Sequence, residues 1–375
     1  MTRIVDSISQ AGSIRINQQV ADLRGEGRDV TVLSLGEAMF DIPMFDFGKL
    51  DFASGYHYSD SRGVPSLRRR ITDYYAERYG VSVSPDRNVL VSTGSKTCIY
   101  LALLALLSPG DEVLVQEPYW LSYPAQVKLA GGAPKAIPHW TRASGFEEHF
   151  TSKTKVVILN NPNNPAGSVL SEKSLGHILG LCRKHGATLL VDEAYSDFCL
   201  DGSFVSSGRV DEALENLVIV NSLSKNMGMS GWRLGYVLAH ERLLEDILKL
   251  NQHLVTCAPT VLQMYCDTYF EDIRRCVEPQ VRAVVEKRER VRQMIDGLGL
   301  RAMDGASTFY FMVDIKASGL GSERYAERLL RERSIAVVPG GYYGASTDGF
   351  VRLGIGTEPT ERIEAALEQI RATLG

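Results

Sequence analysis

Asn221-Ser-Leu-Ser-Lys-Asn-Met-Gly-Met-Ser-Gly-Trp-Arg-Leu-Gly235 follows the apolar run Leu217-Val-Ile-Val220 and puts a lysine, flanked by hydroxyls, just past a strand. An arginine stands eight residues later in a Gly-Trp-Arg turn. Taken alone, such a lysine reads as a surface residue in a polar loop. Its meaning comes from other segments: Asn161-Pro-Asn-Asn-Pro-Ala-Gly167, Val191-Asp-Glu-Ala-Tyr195, Ser92-Thr-Gly-Ser-Lys96 and Gly349-Phe-Val-Arg-Leu-Gly354. The first three each lie beyond the carboxyl end of an expected strand, the edge at which open parallel sheets bind ligands.

The strands themselves are short and continuously apolar: 111–116, 155–160, 187–192 and 217–221. Helical patterns near 96–108, 171–185 and 241–254 alternate with them. Apolar strands separated by helices predict a mostly parallel sheet sandwiched by helices. An α/β domain over residues 45–278 is therefore expected. After Pro279 the pattern changes to a charged helix over 281–298, strands near 309–315, 335–338 and 350–353, and helices near 322–333 and 359–374. Residues 1–44 and 279–375 are expected to form a smaller α+β domain together. A length of 375 residues suits two such units.

Composition narrows the function. The 41 Lys and Arg against 45 Asp and Glu give a net charge of −4, without the clustered basic stripe of a nucleic-acid binder. The longest apolar stretch, 98–107, is too short to span a membrane. Met1-Thr-Arg-Ile-Val-Asp6 does not read as a secretory signal, and the six scattered cysteines read as free thiols, so a cytoplasmic setting is expected. No histidine or cysteine spacing suggests a metal site.

The motifs, in this order and spacing from Leu35-Gly-Glu37 to Arg352, resemble the class I/II aminotransferases, a family of fold-type-I pyridoxal-phosphate enzymes. The resemblance implies a cofactor, pyridoxal 5'-phosphate, and a role for each matching residue. Lys225 matches the Schiff-base lysine, which also moves a proton; a desolvated, cation-flanked lysine loses basicity and suits both tasks. Asp192 matches the partner of the pyridine nitrogen, keeping the ring an electron sink. Tyr195 and Asn164 match donors to the ring 3-oxygen, and Trp120 the aromatic stacked on the ring. Gly94, Ser95 and Lys96 open a helix whose N-terminal amides suit a phosphate; Ser222, Ser224 and Arg233 match its other contacts. Tyr58 matches a phosphate contact lent by a neighbouring subunit, implying a homodimer with shared active sites.

Substrate contacts are implied for Arg352, whose guanidinium can fork onto an α-carboxylate, and for Gly36; Asn164 and Trp120 also border the substrate. Lys96 and Arg15 are candidates for reading a distal carboxylate, while Tyr56, His57 and Tyr310 suit aromatic or polar side chains. The chain departs from the family's usual Gly-Glu-Pro-Asp-Phe with Gly36-Glu-Ala-Met-Phe40, and from Asn-Pro-Thr-Gly with Ala166. The implied activity is ping-pong transfer of an amino group between an L-amino acid and a 2-oxo acid. The alternatives are another reaction on the same fold (elimination, carbon–carbon cleavage, cyclisation or oxidation) and a ligand-sensing regulator, for which Gly36-Glu37 leaves no N-terminal DNA-binding module.

Overall fold

A computed structural model describes residues 3–8, 10 and 12–374. A short strand, β1 (Thr31–Val32), comes first. Seven more follow as β2 (Val89–Ser92), β3 (Glu112–Gln116), β4 (Ala133–Ile137), β5 (Thr154–Asn160), β6 (Thr188–Asp192), β7 (Leu217–Ser222) and β8 (Gly235–Ala239). They form one sheet in the order β2-β8-β7-β6-β5-β3-β4. β8 runs antiparallel to both of its neighbours, and the other pairs are parallel. The central strands are buried along their length because helices cover both faces. The four expected strands lie within one residue of where the apolar runs put them. β4 was not expected, since Pro134 and Lys135 interrupt its apolar pattern and its middle is exposed.

The expected helices form as Ser95–Leu106, Glu172–His185 and Glu241–Leu254. Ser171 caps the second by accepting from the Ser174 amide, and Gly186 ends it at φ +65°, a left-handed turn that glycine adopts without strain.

The remaining strands are β9 (Tyr310–Asp314), β10 (Ile335–Ala336), β11 (Val338–Pro339) and β12 (Phe350–Gly354). β9, β12 and β11 form an antiparallel sheet, and β1 pairs parallel with β10. That pairing ties the N-terminal stretch to the C-terminal part. One expectation fails: the helix does not begin after Pro279 but runs from Phe270 to Gly297 with the proline inside. Phe270, Ile273 and Val277 before the proline, and Val281, Val291 and Ile295 after it, continue one buried stripe. Their burial outweighs the hydrogen bond that the proline removes. Residue 278 therefore lies within a continuous helix. Among the described residues, no helix is long and apolar enough to cross a membrane.

Candidate active site

A cavity of about 550 Å³ opens at the carboxyl ends of the parallel strands. Its lining includes Gly36, Ser95, Lys96, Trp120, Asn164, Asp192, Tyr195, Ser222, Ser224, Lys225, Arg233 and Arg352. Residues far apart in the chain, from Gly36 to Arg352, thus line one cavity.

Lys225 lies in the single turn Leu223–Asn226 that follows β7. Its amine donates to the Gly36 carbonyl at 2.6 Å. Burial, helped by Arg352 and Arg233, lowers the amine to about 8, against the opposing pull of Glu37. Asp192 ends β6 with 6% of its surface exposed. It accepts from the Tyr123 hydroxyl at 2.7 Å and the Ala194 amide at 3.1 Å. Burial raises its carboxyl to about 6, the hydrogen bonds opposing.

The Asn164 amide nitrogen donates to the Tyr195 hydroxyl at 3.2 Å, and the Tyr310 hydroxyl lies 3.0 Å from the same oxygen. Asn160 supports this wall by accepting from the Asn164 backbone at 2.6 Å while donating to the Asp192 carbonyl at 2.8 Å. The Asn164 side-chain oxygen is buried without a partner.

At the other end, Gly94 sits at φ +88° before the helix beginning at Ser95. A Cβ on Gly94 would stand 2.5 Å from Arg233 Nη2, so only glycine lets the guanidinium lie against this turn. Arg233 donates to the Ser230 carbonyl at 2.8 Å and reaches Ser224 Oγ at 3.5 Å. Lys96 Nζ lies 5.0 Å from the centre of the Trp120 ring, and burial with Arg233 lowers its basicity.

Arg352, on β12, is 4% exposed. One nitrogen donates to the Ser34 carbonyl at 2.5 Å, its Nε has no partner, and its guanidinium lies 4.6 Å from the Tyr310 ring centre. An almost fully buried cation that pairs with no carboxylate among the described residues calls for an anionic ligand.

Three expected residues are not brought into the cavity. Tyr58 is 85% exposed on its own chain. Gly94 lies behind the lining, against Arg233. Arg15 points elsewhere: it pairs with Glu323 at 2.9 Å and with the Tyr342 hydroxyl, so its charge is already engaged on the far side of its helix. Its neighbours Ile14 and Asn17 face the cavity instead. Tyr56 and His57 also lie at the surface, whereas Tyr310 is buried. Tyr123 and Asn160 escaped the sequence reading. The Trp120-x-x-Tyr123 spacing was the available signal for Tyr123; a buried asparagine ending a strand carries none.

The donor set fits pyridoxal phosphate. A helix N-terminus with an arginine and serines suits the phosphate, a buried carboxylate suits a ring nitrogen, and the second hydrogen of the Asn164 amide nitrogen, beside the Tyr195 phenol, suits the ring oxygen. The departures from the usual motifs leave these groups untouched: Ala166 faces a different cleft and Met39 is 71% exposed.

Comparisons agree. The family described as aminotransferase class I and II matches residues 16–370. An aspartate aminotransferase of Pyrococcus abyssi is 31% identical, covering 95% of both chains. An aromatic-amino-acid aminotransferase of Thermococcus litoralis is 30% identical, also over 95% of both. The structure of Thermus thermophilus aspartate aminotransferase with maleate superposes with a TM-score of 0.90 at 28% identity, covering 100% of this chain and 99% of that one. The chain belongs to the class I and II aminotransferases of fold type I, enzymes that use pyridoxal phosphate to move an amino group between an amino acid and a 2-oxo acid.

Proposed function

We propose that Lys225 carries the cofactor and serves as the proton-transfer base of a ping-pong transamination. One observation carries this reading: an amine lowered to about 8 shares a cavity with Asp192 and with Arg352, a buried arginine that lacks a carboxylate partner. Bound there, pyridoxal phosphate supplies an electron-withdrawing ring that stabilises negative charge on the substrate α-carbon.

The chain's own residues do the rest. Asp192 holds the charge of the ring nitrogen, with Tyr123 orienting the carboxylate. Tyr195 and Asn164 hold the 3-oxygen, and Trp120 covers the ring. Ser95, Lys96, Ser222, Ser224 and Arg233 hold the phosphate, and Gly94 behind them lets Arg233 lie against the turn. Arg352 and the Gly36 backbone hold the α-carboxylate, fixing the α-hydrogen within reach of the Lys225 amine. At pH 8 about half of that amine is neutral, as a base must be.

We assign Tyr58 to the phosphate of a second copy. The tyrosine is 85% exposed, and the same stretch of chain also exposes Met39, Met44, Phe52 and Tyr56, apolar side chains that a homodimer interface would bury. The functional units are residues 45–278 and the combined 1–44 and 279–375. A reducing, cytoplasmic setting suits six cysteines that form no disulfide.

The test is spectroscopic. An L-amino acid alone must convert the bound cofactor to its amine form, and a 2-oxo acid must convert it back. Accumulation of an elimination product without that cycle rejects transamination.

A further inference from the structure

Tyr310, expected from the sequence to face the substrate side chain together with Tyr56 and His57, is a fully buried tyrosine of the site. Its surroundings are unusual. The ring packs on the Arg352 guanidinium at 4.6 Å, and Tyr343 lies 5.5 Å from the same guanidinium. The hydroxyl lies 3.0 Å from the Tyr195 hydroxyl, with the two ring planes at 77°. Gly36 leaves room for it: a Cβ there would stand 3.2 Å from the Tyr310 oxygen.

The backbone that aims this side chain is itself strained. Thr308, two residues earlier, sits at φ +65°, a conformation that costs a β-branched residue on the order of 1–3 kcal/mol. Thr308 Oγ1 accepts from the Tyr310 amide at 3.3 Å. A strained turn that delivers one tyrosine between an arginine and a phenol is spent on positioning.

Either hydroxyl can donate across the Tyr195–Tyr310 contact, and one of the two directions frees a proton for the cavity. The Tyr195 oxygen has two lone pairs and one hydrogen. Asn164 donates to one lone pair. If Tyr310 donates to the other, the Tyr195 hydrogen has no partner in the protein and points to the cavity, where the 3-oxygen would lie. A hydroxyl that accepts a hydrogen bond also becomes a stronger donor.

We propose that Tyr310 is a positioning residue that links the two halves of the site, its ring bracing Arg352 for the substrate carboxylate and its hydroxyl directing the Tyr195 proton at the cofactor 3-oxygen. This rests on the roles assigned above to Arg352 and Tyr195. Other charged or titratable groups acting on the pair are Glu37, which faces Tyr310, and Asp192, which faces Tyr195.

Two variants of the holoenzyme separate the functions. Tyr310→Phe keeps the ring and removes the hydroxyl; Tyr310→Leu removes both. The readouts are the pH midpoint of the bound cofactor's absorbance and the inhibition constants of two unreactive carboxylates, maleate and 3-phenylpropionate. Donation to the 3-oxygen favours its ionised form, so weakening that donation raises the pH at which the bound cofactor loses its proton. A loss of 10–30% of a charge-assisted hydrogen bond corresponds to an upward shift of roughly 0.1–0.6 pH unit in both variants. Carboxylate affinity should hold within about twofold in Tyr310→Phe and fall about 2- to 30-fold for both probes in Tyr310→Leu, as for a desolvated cation–π contact. An unmoved or lowered midpoint in Tyr310→Phe overturns the proposal, as does unchanged carboxylate affinity in Tyr310→Leu. If the leucine variant does not fold, the phenylalanine midpoint alone decides. A wild-type chain that binds no pyridoxal phosphate overturns the functional reading and this proposal with it.

Discussion

The Tyr123 hydroxyl donates to the Asp192 carboxylate at 2.7 Å, joining the start of one helix to the end of β6, 69 residues away. This contact and the Ala194 amide hold the charged form of a carboxyl that burial pushes up to about 6. Without the cofactor, Asp192 is a buried carboxylate that pairs with no cation among the described residues. Its folded value lies above the ordinary 3.8, so the group destabilises the protein at pH values above about 6. The cost fades as pH falls through 6 toward 3.8.

Asp192→Asn is therefore expected to stabilise the cofactor-free protein by about 3 kcal/mol at pH 8 and far less at pH 4. Urea unfolding of the apoprotein at both pH values measures this. With the cofactor bound, the same change should stall proton abstraction, because a neutral amide cannot hold a pyridinium charge. A single-turnover rate equal to wild type would show that Asp192 does not serve the ring nitrogen.

Lys225 yields a prediction with the opposite sign. Its amine is lowered from 10.5 to about 8, so the neutral, nucleophilic form grows in as pH rises through 8. Covalent capture of pyridoxal phosphate by the apoprotein should accelerate between pH 7 and 9 with a midpoint near 8. Lys225→Ala should bind cofactor without covalent attachment and lose several orders of magnitude in turnover. A capture rate that keeps climbing to pH 10.5 would mean an unperturbed lysine.

Much of this site was legible because its residues sit at strand ends, where apolar runs give way to polar motifs. Asp192 and Asn164 follow strands, and Ser95 opens a helix. What stayed hidden depends on side-chain direction, which spacing does not encode. Arg15 and Ile14 are adjacent, yet the helix turns Ile14 to the cavity and Arg15 to Glu323. Tyr310 was expected to face the substrate side chain, whereas its hydroxyl meets that of Tyr195, a direction that spacing does not encode. Pro279 illustrates the same limit in the fold. A helix breaker on local grounds, it was overruled by an apolar stripe continuing on both sides.

Arg352→Lys should weaken every amino donor and every 2-oxo acceptor together, since all carry the α-carboxylate. Lysine keeps the charge but loses the planar fork and its packing on Tyr310, so the loss should be about 2–3 kcal/mol. Specificity constants for acidic, aromatic and aliphatic substrates test it. A loss confined to one class would place Arg352 at the side chain instead.

Of the two candidates for reading a distal carboxylate, Arg15 already pairs with Glu323, which leaves Lys96 to be tested. Arg15→Ala should therefore leave the ratio of acidic to neutral substrates unchanged, and its exposed ion pair should be worth at most about 1 kcal/mol. Lys96 has two possible anionic partners, the cofactor phosphate and a substrate carboxylate. Its amine lies over Trp120, pairs with no carboxylate, and is depressed by burial and by Arg233. Proximity to Arg233 favours the phosphate, since two cations on one side of a cavity are best neutralised by a dianion. Lys96→Ala should then weaken pyridoxal phosphate, measured by dialysis, and lower specificity constants for glutamate and phenylalanine by the same factor. Retained cofactor affinity with a selective loss of glutamate, aspartate and 2-oxoglutarate would instead make Lys96 the distal-carboxylate reader and this enzyme a dicarboxylate transaminase.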